Sequence, residues 1–215
     1  HLFSKLYAGH PYERDVIGLP EHLKNPRLSK PIEFYNTWYV PNNMALIIVG
    51  DFDTETTKPM IAETFGRLQS KPLPERPTYP KTSFAGNPKY KFKVGYYPTV
   101  VWAYDGVSMK DEDLLPLQFV VSLLNNSTST GLLDKLNIDG VVSSAGASVD
   151  ARRDQGRILV QAVPYFDVNQ QSYESNTATE RIVMAEINRL KTGDIPDWLI
   201  QTVKAEYAQN YKLLY

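Results

Sequence analysis

The sequence predicts an α+β fold, an antiparallel sheet with helices packed on one face. The first observation is the order of patterns after residue 88, which is β-β-α-α-β-β-α-α. The second is the short polar turn at 151–156 between two strand patterns, 141–150 and 156–166. Strands joined by short turns pair antiparallel, because parallel strands need long crossover connections.

Composition excludes several classes of function. The chain has 215 residues, of which 42% are apolar, and this is enough for a sizeable core. Its net charge is −1, so charge gives no argument for binding nucleic acid or an anionic membrane surface. No run of about 18 apolar residues is present, so no membrane span is expected. Cysteine is absent, which excludes disulfides and thiolate sites and leaves the compartment open.

The first part of the chain predicts a helix, a strand and a second helix. Residues 1–28 carry Gly and Pro at short intervals, which indicates irregular chain. Ser29 is placed to cap the first helix. The continuous apolar run 44–50 has the length of a strand covered on both faces. The second helix should begin near Thr56 or be kinked at Pro59, because proline lacks the N–H that a helix interior uses.

A shift in composition divides the chain. Residues 70–88 hold five prolines, which predicts a stiff linker and the best domain boundary. Beyond it the pattern restarts with strands at 89–97 and 99–109. The remaining predicted elements are two helices, a hairpin and two further helices, at 113–124, 131–137, 141–166, 172–192 and 196–214.

One short stretch, GHPYER, partly matches a zinc-binding motif. His10 and Glu13 are spaced like the first half of the H-x-x-E-H motif, which places two imidazoles and a general base on one helix face. Arg14 stands where the second histidine belongs, and Pro11 puts His10 at or before a helix start. We therefore predict an ordered loop in which Tyr12 packs and Glu13 pairs with Arg14. No catalytic residue and no metal ligand is predicted in this chain.

A charge cluster lies in the predicted hairpin turn. It consists of Asp150, Arg152, Arg153 and Asp154. Turns between strands usually face solvent, so we expect these four side chains to be solvated.

Several signatures, in this order, resemble the insulinase-type zinc peptidases, also called the pitrilysin or mitochondrial-processing-peptidase family. GHPYERDVIG at 9–18 is similar to a family loop. YVPNNMALIIVGD at 39–51 is similar to the family's Y-x-P-N-N run before an apolar strand ending in V-G-D. LLDKL at 132–136 is similar to an L-L-x-x-L stretch of the second family domain. The resemblance covers nearly the whole chain.

The resemblance implies a mitochondrial-processing-peptidase-like metallohydrolase fold and a division of the chain. Residues 1–69 would be the C-terminal part of the first peptidase domain, and 70–88 the linker. Residues 89–215 would be a second, noncatalytic domain, truncated at its C-terminus. The family's zinc ligands lie N-terminal to the loop at 9–18, so zinc is implied for the parent protein with ligands outside this chain.

The resemblance also carries the functional expectation. Asn137 and Val141 stand where active far-half domains carry Arg and Tyr, so no transition-state role is implied. Family members bind extended peptides at sheet edges through backbone hydrogen bonds. The small side chains that would let a peptide backbone approach are Ser143, Ser144, Ala145, Gly146 and Ala147. They could equally fit under a packed helix.

The expected function is a noncatalytic segment of a zinc metalloendopeptidase that shapes the peptide-binding chamber and supports substrate binding. The implied partners are a peptide or unfolded-protein substrate and other domains of the parent or a related subunit. The alternatives are a noncatalytic partner subunit of a two-chain peptidase, and a scaffold or assembly protein of the same fold.

Overall fold

The chain forms two compact units. The computed structural model describes residues 2–93 and 95–212, with side chains described up to residue 210. The shorter unit is Arg14–Tyr79, and the longer unit joins His1–Glu13 to Pro80–Tyr215. The assignment of stretches to a first and a second peptidase domain stays a prediction.

Helices and two small sheets make up the regular structure of the described residues. The helices are α1 Leu2–Leu6, α2 Pro20–Lys24, α3 Ser29–Trp38, α4 Thr54–Phe65, α5 Leu114–Ser122, α6 Leu132–Ile138, α7 Asn176–Thr192 and α8 Asp197–Lys212. The strands are β1 Val100–Gly106, β2 Ser144–Ala151, β3 Gly156–Val163, β4 Phe166–Asp167 and β5 Ser172–Tyr173. None of these helices combines the length and the apolar character needed to cross a lipid bilayer.

The shorter unit corrects two details of the predicted helices. Leu28 is the N-cap of α3 and makes no side-chain cap bond, so Ser29 is not the cap. The helical bonds already begin one residue earlier, where Ile32 N–H donates to Leu28 O. Asp53 caps α4 by accepting the Thr56 N–H at 2.8 Å, so this helix begins before Thr56 and contains Pro59. The cap bond holds the first turn although Pro59 removes a later one.

Two predicted strands are not formed. No strand is assigned to 44–50, where Ile47 and Val49 are 82% and 91% exposed. None is assigned within 89–93 or 95–97 either, and Val94 lies outside the described residues. A strand needs the backbone of a neighbour for its N–H and C=O groups, and an apolar or alternating pattern does not supply one.

The longer unit is built on a three-stranded antiparallel sheet in the order β1-β3-β2. Trp102, Val160 and Ala147 stand opposite one another across the three strands and belong to one face. That face packs against the helices, which confirms the predicted α+β class. The buried core consists of Leu123, Leu124, Leu132, Leu133, Leu136, Val142, Val160, Ala162, Val183, Ile187, Leu199 and Val203.

The ends of the predicted elements shift in places. Residues 1–28, predicted to be irregular, contain α1, α2 and a 3-10 turn at Pro11–Glu13. α7 begins at Asn176 and not near 172, because Ser175 caps it by accepting the Ala178 N–H at 3.1 Å. The predicted end of α8 at residue 214 falls outside the described residues.

Candidate functional site

β2 is an edge strand of the main sheet, and its free edge is already occupied by side-chain amides. Ala145 N–H donates to Asn137 Oδ1, and Asn137 Nδ2 donates to Ala145 O at 3.0 Å. Ala147 N–H donates to Asn125 Oδ1. Backbone groups alternate between the two sides of a strand, so Val149 presents its N–H and C=O to the same side.

A glycine brings Asn125 to this edge. Asn125 lies between α5 and α6, and Gly131 N-caps α6. A Cβ on Gly131 would lie 2.3 Å from Leu124 O and 2.6 Å from Asn125 N, distances that no side chain tolerates. Asp134 fixes the same loop, because its Oδ2 accepts the N–H groups of Gly131 and Asn126, each at 3.0 Å.

The five predicted peptide-binding residues lie together at the start of β2, with different surroundings. Ser143 precedes the strand and donates its hydroxyl to Pro164 O at 2.8 Å. Ser144 is exposed. Ala145 and Ala147 are half-buried and pack against the core, and a Cβ on Gly146 would lie 3.8 Å from Asn125 Oδ1, an ordinary van der Waals contact. Peptide binding by these residues stays a prediction.

A groove continues from this edge. It lies between β2, α5 and α8 and has a volume of about 510 Å³. Its lining includes Val149 and Asn125 together with Leu115, Val121 and Tyr207. The groove is mixed in character, since Ser122 and Gln118 add polar groups to the apolar ones.

On the opposite face of the sheet, aromatic rings of the N-terminal segment surround Arg152. Its guanidinium carbon lies 4.6 Å from the ring centroid of Phe3, 4.7 Å from that of Tyr7 and 5.1 Å from that of Tyr12. Arg152 also pairs with Asp150 at 3.0 Å. The expectation of a fully solvated turn is therefore wrong for Arg152 and Asp150, because the segment at 2–13 covers them.

Arg157 is the most deeply buried charge in this region, 2% exposed. Its guanidinium donates to Leu6 O at 2.8 Å and to Thr82 O at 2.8 Å, and it pairs with Asp105 at 3.1 Å. The side chain thereby ties two distant segments, near Leu6 and near Thr82, to β3. Sequence reasoning missed it, although an arginine at a buried position of an apolar strand was a signal.

Two tyrosines of the segment titrate abnormally. Burial raises the pKa of Tyr7 well above its ordinary value, and its hydrogen bond to Asp150 at 2.7 Å raises that pKa further. Burial also raises the pKa of Tyr12, and its hydrogen bond to Asp154 acts in the same direction. In both cases the neutral phenol is the form that the fold favours.

The His10 and Glu13 pair does not fit a zinc ion. His10 Nδ1 accepts the Tyr12 N–H at 3.2 Å, and the His10 ring lies 4.2 Å from the Tyr12 ring. Glu13 accepts the Gly9 N–H at 3.0 Å, and among the described residues it makes no ion pair with Arg14. Within the described residues, no three His, Asp or Glu side chains are grouped to share a metal ion.

Comparison with known families identifies the chain. The family profile described as the peptidase M16 inactive domain matches residues 31–207. This chain belongs to the M16 peptidase family. The matched M16 profile is that of an inactive domain, so the chain is a noncatalytic segment of a peptidase-type protein.

Relatives of this M16 chain are named as zinc proteases. The zinc protease PqqE of Helicobacter pylori is 22% identical over 217 residues, which cover 97% of this chain and 48% of PqqE. The probable zinc protease PqqL of Escherichia coli is 31% identical over 68 residues, covering 32% of this chain and 7% of PqqL. The chain thus spans at most about half the length of these relatives.

Solved structures show the same fold. A protease from Helicobacter pylori superposes with a TM-score of 0.73 at 20% identity, covering 95% of this chain and 49% of that one. A peptidase M16 inactive domain from Pseudomonas fluorescens gives a TM-score of 0.70 at 16% identity, covering 96% and 49%. The predicted resemblance and fold class are confirmed.

Proposed function

We propose that this M16 chain is a noncatalytic part of the substrate chamber in a zinc metalloendopeptidase, and that it holds an extended peptide along the free edge of β2. The zinc and its ligands belong to a part of the parent protein outside this chain. Other domains of the parent, or a related subunit, complete the chamber. The substrate is a peptide or an unfolded protein.

The observation that supports this function best is the hydrogen bonding at Ala145. Its N–H and C=O both point away from β3, and both bind one planar amide. A residue of an added antiparallel strand binds such a position in the same way, with one C=O accepting and one N–H donating. The edge is therefore shaped to receive an amide.

The side chains around this edge leave room for a second backbone. Ser144 and Ser148, on the face away from the helices, are small and exposed. Backbone pairing of this kind tolerates many sequences, because the bonds use groups that every residue except proline carries. The groove beside Val149 can receive one apolar side chain of the peptide.

Backbone methylation of the peptide tests edge binding without altering the protein. Two fluorescein-labelled peptides have the same sequence, rich in valine and threonine, and one of them is N-methylated at every residue. Edge pairing needs backbone N–H groups of the peptide, so the unmethylated peptide should bind the full-length protein and the N-methylated peptide should lose binding. Equal anisotropy curves for both peptides would contradict the proposal.

A second candidate function is a scaffold or a noncatalytic partner subunit. The same asparagines favour it, since side chains that cover the backbone of an edge strand also prevent pairing with other chains. On that function neither peptide binds, and the full-length protein on its own shows no chelator-sensitive peptidase activity.

A further inference from the structure

The two asparagines at the β2 edge occupy the positions that the proposed peptide needs. Asn137 lies in the last turn of α6 and binds Ala145 through both the oxygen and the nitrogen of its amide. Asn125 lies in the loop after α5 and accepts from Ala147, two residues along the strand. An added strand requires these same three backbone groups, so peptide and asparagines exclude one another.

We propose that Asn137 and Asn125 are internal competitors of the peptide, which set how strongly the β2 edge binds an extended chain. This inference rests on the proposed function. The asparagine amide has the chemistry of a peptide bond, a carbonyl oxygen and an N–H in one plane. It satisfies the edge when no peptide is bound, and a peptide binds only after it has rotated away.

Burial and tethering determine the strength of this competition. Both asparagines are half-buried, so each can leave the edge toward solvent by side-chain rotation. Asn137 makes two hydrogen bonds with Ala145 and Asn125 makes one with Ala147, so Asn137 is the stronger competitor. The competition disfavours peptides that offer few backbone bonds and selects long extended segments.

The structure provides variants that separate this role from simple stabilisation. Asn137→Ala removes both bonds, and Asn137→Asp keeps the acceptor for Ala145 N–H while its carboxylate repels Ala145 O. Asn125→Ala removes the bond to Ala147. Asn188→Ala is the matched control, because Asn188 is exposed on α7 of the same unit.

The test measures binding of the fluorescein-labelled valine–threonine peptide to the full chain by anisotropy. Asn137→Ala should tighten binding by roughly fivefold or more, because two hydrogen bonds no longer have to be broken. Asn125→Ala and Asn137→Asp should give smaller gains, and Asn188→Ala should match the wild type. Hydrogen exchange should show the Ala145 and Ala147 amides losing protection in Asn137→Ala and Asn125→Ala respectively, and regaining it when peptide is added.

The outcomes separate the two proposals. If the wild type binds the peptide and Asn137→Ala and Asn137→Asp bind it equally or more weakly, the competition is refuted and edge binding stands. If the wild type and all variants leave the peptide unbound, edge binding is refuted and the competition with it. Binding by Asn137→Ala alone supports both.

Discussion

Arg152 and Arg153 are neighbours with the same side chain and opposite surroundings. Arg152 lies among the rings of Phe3, Tyr7 and Tyr12, whereas the Arg153 side chain is 51% exposed. A guanidinium stacks on aromatic faces as a flat ion, and an ammonium does not. This pair therefore isolates the contribution of ring stacking at constant charge.

Arg152→Lys should lower the free energy of unfolding by about 1 kcal/mol, since it keeps the charge and loses the stacking on three rings. Arg153→Lys should change it by less than about 0.5 kcal/mol, as exposed substitutions do. Urea unfolding followed by fluorescence measures both. Equal changes in unfolding free energy at the two positions would show that stacking of the guanidinium on the rings does not stabilise the fold.

Tyr7 gives the longer unit a dependence on alkaline pH. Its folded-state pKa is raised by burial and by Asp150, so the unfolded state loses this proton first as the pH rises. The stability from neutral Tyr7 is fully present below its unfolded pKa of about 10 and is lost as pH rises above that value. Arg152 and Arg157 also face the phenol and oppose the shift.

Tyr7→Phe should flatten the fall in unfolding free energy between about pH 9 and about pH 11, although it removes a hydrogen bond at neutral pH. Chemical denaturation at several pH values measures the slope. Tyr79→Phe is the matched control, because Tyr79 is an exposed tyrosine of the shorter unit. A slope that is unchanged in Tyr7→Phe would mean that the phenol ionises equally in both states.

The sequence predicted the location of the candidate site and missed the side chains that shape it. The small residues at 143–147 indicate a strand that another backbone could approach closely, and this can be read from the sequence alone. That Asn125 and Asn137 turn toward Ala147 and Ala145 depends on how α5 and α6 pack, which no periodicity encodes. A buried arginine such as Arg157 is likewise fixed by partners 151 and 75 residues away.

At the scale of elements, a helix is encoded within its own segment, whereas a strand also depends on a second segment with which it pairs. The six helices from α3 to α8 were predicted, because the 3.6-residue period lies within each segment, whereas the five-residue helices α1 and α2 are too short to show it. β1, β2 and β3 were predicted from alternation and formed because they pair with one another. The runs 44–50 and 89–97 have strand patterns and no strand among the described residues, since pairing is a property of two segments.

Gly131 is tightly packed against the end of α5, next to the site. Gly131→Ala should cost at least about 2 kcal/mol of stability, because the new Cβ overlaps Leu124 O and Asn125 N and must displace backbone. A Cβ on Gly146 would only reach van der Waals distance, 3.8 Å, from Asn125 Oδ1, so Gly146→Ala should be neutral within about 1 kcal/mol. Thermal unfolding of the two variants compares them, and a tolerated Gly131→Ala would show that the loop holding Asn125 is not tightly packed.

At the scale of the whole molecule, burial is unequal between the units. The hydrophobic core lies entirely within the longer unit. In the described part of the shorter unit, Val40 is the only buried hydrophobic side chain. Apolar side chains such as Val16, Ile17 and Ile47 are almost fully exposed there. Helices without a buried face have little tertiary packing to stabilise them.

Hydrogen exchange of this chain should therefore show two classes of amides. Those of Arg14–Tyr79 should exchange much faster than those of β3 and α7, which surround the core. Pulse labelling of the chain, followed by peptic digestion and mass spectrometry, assigns the exchange to individual segments. Equal protection of α4 and α7 would show that the shorter unit has stabilising contacts of its own.

The bond between Asn137 and Ala145 also has a kinetic consequence. Side chains rotate in picoseconds to nanoseconds, far faster than a peptide diffuses to a protein. An edge that is open for only a small fraction of the time captures arriving peptides at a rate reduced by that fraction. Once bound, a peptide leaves at a rate set by its own contacts, so the asparagines would slow association and leave residence time unchanged.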